Sequence, residues 1–357
     1  MNMNKHVSLV CVLGLVALSN TVLAAETAPQ PSPAKEGLEL PGTESRGLEV
    51  GNETALEPSK KLEIVGAVEL KYGMSRGDSG HVNGPIADKA ELGITYKPTD
   101  KFDLNVVGLY EDKKLSTDEV KVTWHAMPDD KLDVTAGKQY FPFGSFESAM
   151  VSDPITKEFG ESRRNKVLQV ASKRRNLQTT GYVFEGKSAQ TGGTGTHKNG
   201  YGFSVGYEAE AGTVGVDYLS NLAESKHYGD INDVANQIPA IAVHGTRKVG
   251  RMALSGESMA ALKAFQPGDL GGAVTVAAKP TATHLEAALD LHNDRTVAVA
   301  WNGTSNAQEI DMKKENVGVT YRQPIYKDLT GGIELMRAKG YDGTSDNIFT
   351  AQLSYEF

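Results

Sequence analysis

The chain has 357 residues, a formal net charge of −8 and a mean hydropathy of −0.35, a balance that excludes a helical membrane protein. Beyond the leader no apolar run reaches the ~20 residues of a membrane-crossing helix, a requirement that a transmembrane β-barrel escapes by alternating lipid-facing apolar residues with polar ones facing the lumen. The single cysteine, Cys11, lies inside the leader, so the exported chain is expected to lack disulfides, thiolate metal sites and thiol catalysis.

The leader has a basic start at Lys5 and His6, an apolar stretch from Val7 to Leu18 and the small-residue cleavage signal Val22-Leu23-Ala24. It predicts a signal peptide over 1–24 and export through the Sec pathway with cleavage near Ala24. Val10, which precedes Cys11, is not the small residue that a lipoprotein site requires. Residues 25–60 hold Pro29, Pro31, Pro33, Pro41 and Pro58 among acidic residues without periodicity, the composition of a disordered segment, here periplasmic. That segment is too short for the folded plug domain of an energised siderophore receptor.

From Lys61 the sequence alternates strand, short turn, strand and longer loop. Leu62, Ile64, Val68, Leu70, Tyr72 and Met74 share one face of the first strand, with Glu63, Glu69 and Lys71 on the other. The second strand is expected over 87–96. Lys97-Pro98-Thr99-Asp100 reverses the chain into Phe102, Leu104, Val106 and Tyr110. The fourth strand places Val120, Val122 and Trp124 outward and Glu119, Lys121 and His125 inward. Met127-Pro128-Asp129-Asp130 turns it into Leu132, Val134 and Ala136, with Lys138 and Tyr140 at the end of that face.

After a break at 141–165 the alternation resumes. Strands are expected at 166–172, 177–185, 201–207, 214–218, 240–248, 251–261 and 281–290, then around Val299, Val319 and Leu335. The last stretch, Asn347 to Phe357, places Phe349, Ala351, Leu353, Tyr355 and Phe357 on one face. It has the form of the closing strand and assembly signal of a Gram-negative outer-membrane protein, to be read by the barrel assembly machinery; the alternative for this segment alone is a strand of a soluble β-sandwich. Together the segments predict an all-β fold over 61–357, a transmembrane antiparallel up-and-down barrel of about 16 strands. A lumen of that size is too wide for side chains to fill, so water enters and solutes pass.

The interruption has specific content. From Gly137 it reads GKQYFPFGSFESAMVSDPITKEFGESRRN. Its length lets it fold into the lumen as a constriction loop, with Phe141, Phe143, Phe146, Glu147 and Asp153 as the candidate residues; an exposed loop packed on the rim is the alternative. This segment, concentrated in Gly137 to Thr156, together with the leader, the following tail and the triplet Ser255-Gly256-Glu257, resembles the LbtU family, the legiobactin-receptor-like siderophore porins. The resemblance implies a plugless barrel of about sixteen strands in the Gram-negative outer membrane that takes up ferric siderophore. The N-terminal segment lacks the heptad-like helical pattern of some members, and no family motif fixes ligand-binding residues.

Ferric siderophores are bulky and often anionic, so Arg163, Arg164 and Lys166 at the exit of the loop are the candidate ligand contacts; rim cations pairing with lipopolysaccharide phosphates or with Glu158 and Glu161 are the alternative. Lys173, Arg174 and Arg175 belong to a periplasmic turn. Glu69, Lys71, Glu91, Lys121 and Arg322 suit a transverse field across a water-filled pore, or the solvated wall of any barrel. His125, His244 and His284 are scattered, and no metal site or cofactor is expected from them. No nucleophile elbow, HExxH, glycine-rich phosphate loop or EF-hand loop is present, so the expected function is transport and not catalysis, with no nucleic-acid partner. Expected partners are ferric siderophore or another small hydrophilic solute, and outer-membrane lipid with its lipopolysaccharide. A general or anion-selective diffusion porin is the alternative to siderophore uptake.

Overall fold

The computed structural model describes residues 61–357 except 79, 112, 128–130, 189–197 and 229–233; the expected signal peptide and the 25–60 segment lie outside the described residues. Five strands, β1 (Leu62–Gly77), β2 (Gly80–Thr99), β3 (Phe102–Glu111), β4 (Lys114–Met127) and β5 (Leu132–Gln139), precede the long connection that carries a short helix, α1 (Ile155–Gly160). Then follow β6 (Asn165–Arg174), β7 (Leu177–Phe184), β8 (Gly200–Ala209), β9 (Gly212–Leu219), β10 (Ala240–Val249) and β11 (Met252–Ala261). The last five are β12 (Thr281–Asp290), β13 (Thr296–Ser305), β14 (Glu315–Tyr326), β15 (Leu329–Lys339) and β16 (Ser345–Glu356). Each strand pairs with its chain neighbour, and β1 pairs antiparallel with β16, which closes the ring. A closed barrel has no edge strand, so no ladder group is left for hydrocarbon to meet.

From β5 onward connections alternate in length, whereas the first two on the long-connection rim, 78–79 and 112–113, are two residues each. Two-residue turns at 100–101, 175–176, 210–211, 250–251 and 327–328 sit on one rim, and the other rim carries the longer connections 140–164, 185–199, 220–239 and 262–280.

Two solvents sort the side chains. Met74, Phe349, Leu335, Val319 and Val299 stand in register across β1, β16, β15, β14 and β13 as one outward apolar row. Aromatic residues flank the belt, with Phe102 opposite Trp124 near the short turns and Tyr110 and Trp301 toward the long connections, the girdle arrangement of a membrane barrel. In hydrocarbon, each such large side chain removed from water stabilises the fold by about 1.5–3 kcal/mol. The inward rows are polar or small, as in β16, where Thr350, Gln352 and Ser354 are buried.

Two strands reach further than the sequence implied. β2 begins at Gly80 and not at Ala87, because Gly80 to Pro85 pair with Tyr72 to Gly77 of β1 despite their turn-like composition. β4 begins at Lys114, and a bulge opposite Val107 and Gly108 leaves Asp118 out of register.

Candidate functional site

The long connection leaves β5 at Tyr140 and runs along the inward rows of β9 to β15. An irregular segment has no ladder to satisfy its amides, and here wall carboxylates accept them. Gly144 donates its N–H to Asp217 of β9 (2.8 Å), and Ser145 donates to Glu257 of β11 (2.7 Å), which also accepts the Thr156 hydroxyl (2.6 Å). Glu286 of β12 accepts the Ser148 hydroxyl (2.6 Å) and the Ala149 N–H (2.8 Å). Glu334 of β15 accepts the N–H groups of Val151 (2.8 Å) and Ser152 (3.1 Å) and the Ser152 hydroxyl (2.5 Å). Asn302 of β13 takes the Ile155 N–H through its Oδ1 (3.1 Å). Hydrogen bonds to a charged group are worth about 1.5–3 kcal/mol each when removed singly.

Close packing fixes the same seat. Gly144, at φ 92°, and Gly160 bracket Met259 of β11, and a Cβ at either would lie 2.3 Å from the Met259 methyl or 2.5 Å from its sulfur. Met150 and Val151 come down over Gly318 and Gly332, filling space that a side chain there would take.

The candidate constriction residues separate into two groups. Phe141 and Phe143 are buried with Tyr182, Phe184 and Met259, Phe146 packs against that cluster, and Phe141 stacks on Phe184 with ring centroids 4.3 Å apart. Glu147 and Asp153 are exposed, and Asp153 pairs with Lys157 at 3.0 Å. In α1, the Glu158 carboxylate lies 3.4 Å from the His227 imidazole.

The three candidate ligand cations do not converge. Arg163 lies 3.7 Å from the fully buried Glu224 and donates to the Ala223 carbonyl at 3.0 Å. Arg164 pairs with Asp118 at the bulge and covers the Tyr140 ring at 5.1 Å. Lys166 shares its strand face with the exposed, outward Leu168 and Val170 and pairs with Glu185 at 2.8 Å. Glu161 lies within 4 Å of Lys157 and Lys226.

Sequence reasoning missed the residues that hold the segment: Asp217, Glu257, Glu286 and Glu334. A signal for them exists. Glu257, Glu286 and Glu334 are lone acids on the inward rows of apolar or small stretches, LSGESM, THLEAA and GGIELM, where an acid needs a local reason. Glu257 closes the Ser255-Gly256-Glu257 triplet.

The inward wall of β1 to β5 carries charges in tied pairs. Glu69 and Lys71 are 3.5 Å apart, Lys89 and Glu91 2.7 Å, and Glu119 and Lys121 2.7 Å. His125 sits between Asp133 (2.7 Å) and Asp103 (3.3 Å). His244 pairs with Asp217 and His284 with Glu286, and among the described residues no group of three or more His, Cys, Asp or Glu is placed to hold a metal ion.

By sequence the chain is similar to a UPF0422 protein of Coxiella burnetii, 25% identical over 255 residues, 62% of this chain and 54% of that one. A UPF0422 protein of Legionella pneumophila is 25% identical over 225 residues, 57% of this chain and 42% of that one. The chain spans about half the length of these curated relatives. No family profile matches it. By structure it resembles OmpF of Salmonella typhi, solved with daunomycin, at a TM-score of 0.61 and 13% identity over 83% of this chain and 97% of that one. An anion-selective porin of Comamonas acidovorans aligns at a TM-score of 0.61 and 11% identity, covering 83% and 99%. The outer-membrane channel DcaP of Acinetobacter baumannii aligns at 0.59 and 12%, covering 83% and 97%. The fold is that of the sixteen-stranded outer-membrane porins.

Proposed function

We propose that this protein is an outer-membrane channel that passes hydrophilic solutes through a water-filled lumen, narrowed on one side by the 141–165 segment. The observation that carries this reading is the anchoring of that segment to the inward carboxylates of β9 to β15, which leaves the charge-paired wall of β1 to β5 facing it across the lumen. Solutes then travel between Glu147 and Asp153 on one side and Lys71, Lys89 and Lys121 on the other. Single-channel recording of the refolded protein in planar bilayers tests it: stepwise conductance is expected, and its absence from folded protein would reject the channel.

The solute class we assign is ferric siderophore. It is supported by the likeness of Gly137 to Thr156 to the legiobactin-receptor-like porins, since that is the stretch seated on the wall. Arg163, Arg164 and Lys166 do not enter this reading, because each is held by a carboxylate of its own. A strain lacking the gene is expected to grow slowly on siderophore-bound iron alone; normal growth there would reject the siderophore and leave the channel standing. The tied charge pairs favour general diffusion as the second reading, because they give the wall no surplus of either sign; liposome swelling set only by solute size would select it.

A further inference from the structure

On the outside of the barrel, below the long-connection rim, a groove of about 740 Å³ runs over β13 to β16 and β1. Its floor is apolar, formed by Met74, Val299, Val319, Leu335 and Phe349. Immediately above, one row crosses four adjacent strands in register: His81 of β2, Arg76 of β1, Asn347 of β16 and Arg337 of β15. Strand parity turns Arg76, Asn347 and Arg337 outward, where they are exposed, and the register shift between Lys71 and Tyr72 brings His81 of β2 to the same side.

The row has cations and no acid. Among the described residues neither arginine is in an ion pair; Arg337 makes only a 3.4 Å hydrogen bond to the Ser345 hydroxyl. Nearby acids lie one row higher and are in use: Asp78 accepts the Ser345 N–H at 2.9 Å and Glu315 the Trp301 indole N–H at 2.8 Å. Two exposed arginines level with Trp301, at the interfacial edge of a hydrocarbon-facing groove, attract an anion there. Arg76 and Arg337 are two strand spacings apart, roughly 10 Å, which suits two phosphates on one headgroup better than the single phosphate of a phospholipid.

We infer that this groove binds a bis-phosphorylated, multiply acylated membrane glycolipid, with its phosphates on Arg76 and Arg337, His81 and Asn347 beside them, and an acyl chain along Leu335 and Val319. The site rests on the membrane placement of the barrel and is independent of what the lumen carries.

The test uses the refolded full chain in mild detergent, titrated with diphosphoryl lipid A and separately with phosphatidylglycerol, with bound lipid counted by native mass spectrometry. One retained diphosphoryl lipid A is expected, with at least tenfold weaker retention in the R76Q/R337Q double variant and weak retention of phosphatidylglycerol by both. Equal retention by wild type and double variant overturns the site; equal retention of phosphatidylglycerol overturns the two-phosphate assignment. A groove covered by a second copy of the chain, seen as lipid-free oligomers crosslinked through N347C, also overturns it. If the double variant fails to fold, R76Q and R337Q singly carry the test, each with a several-fold loss expected. Conductance is expected to be the same in these variants, so a failed lipid site and a failed channel are told apart.

Discussion

Ser152 and Glu334 are 182 residues apart in sequence, yet the Ser152 amide and hydroxyl both donate to the Glu334 carboxylate, at 3.1 and 2.5 Å. Glu334 is 2% exposed, so while the segment stays seated, loss of the carboxylate leaves the segment's donors without partners away from bulk water. That asymmetry makes the contact a lock and not a passing touch.

Glu334→Ala removes the lock. The expected cost is about 1–3 kcal/mol for the stranded donors, with rapid conductance flicker or a larger unitary conductance as the segment lifts from β15. Single-channel recording checks this, and an unchanged trace would show that the segment does not gate the lumen.

Gly160→Val attacks the same seat through packing. The added atoms meet Met259 and Phe143, so the segment is expected to become sensitive to a protease that leaves the wild-type segment intact. Glycine-to-alanine at Gly250, where a Cβ meets nothing within 4 Å, serves as the control; its φ of 62° limits any effect to backbone strain at the turn.

The tied pairs of the opposite wall predict selectivity. Neutralising Lys71, Lys89 and Lys121 to Gln leaves Glu69, Glu91 and Glu119 without their partners, and the reversal potential in a salt gradient is expected to shift toward cations. The shift should shrink at high ionic strength as the charges are screened.

One contact on the long-connection rim has a defined pH dependence. Glu309 accepts the Thr275 N–H and hydroxyl, both at 2.7 Å, and the Val276 N–H at 3.1 Å, and the Thr275 hydroxyl and these amides hold its carboxyl below the usual value. A lowered folded value means that its contribution is full above the ordinary glutamate range and is lost as pH falls through the lowered value. Amide exchange at Thr275 and Val276 is expected to accelerate in acid, and Glu309→Gln should abolish that acid dependence.

The barrel was legible because two solvents impose a period of two on every strand, and tight turns such as Arg175-Asn176 and Glu210-Ala211 mark where strands reverse. The upper parts of β2 and β4 were not legible. Gly80 to Pro85 has no alternation to read, and pairing with β1 overrides local preference. The course of the 141–165 segment was open for a different reason: its partners are single acids on strands 73 to 183 residues away, and no local pattern joins an amide to so distant a carboxylate. Separation along the chain also hid the fate of Arg163 and Arg164, which answer to Glu224 and Asp118.

Chain order adds a matter of timing. Every acid that receives the segment lies on a later strand, so until β9 and the strands beyond it are in place its amides have nothing on the wall to grip. The narrowing of the bore is therefore a property of the finished wall and not of the first five strands.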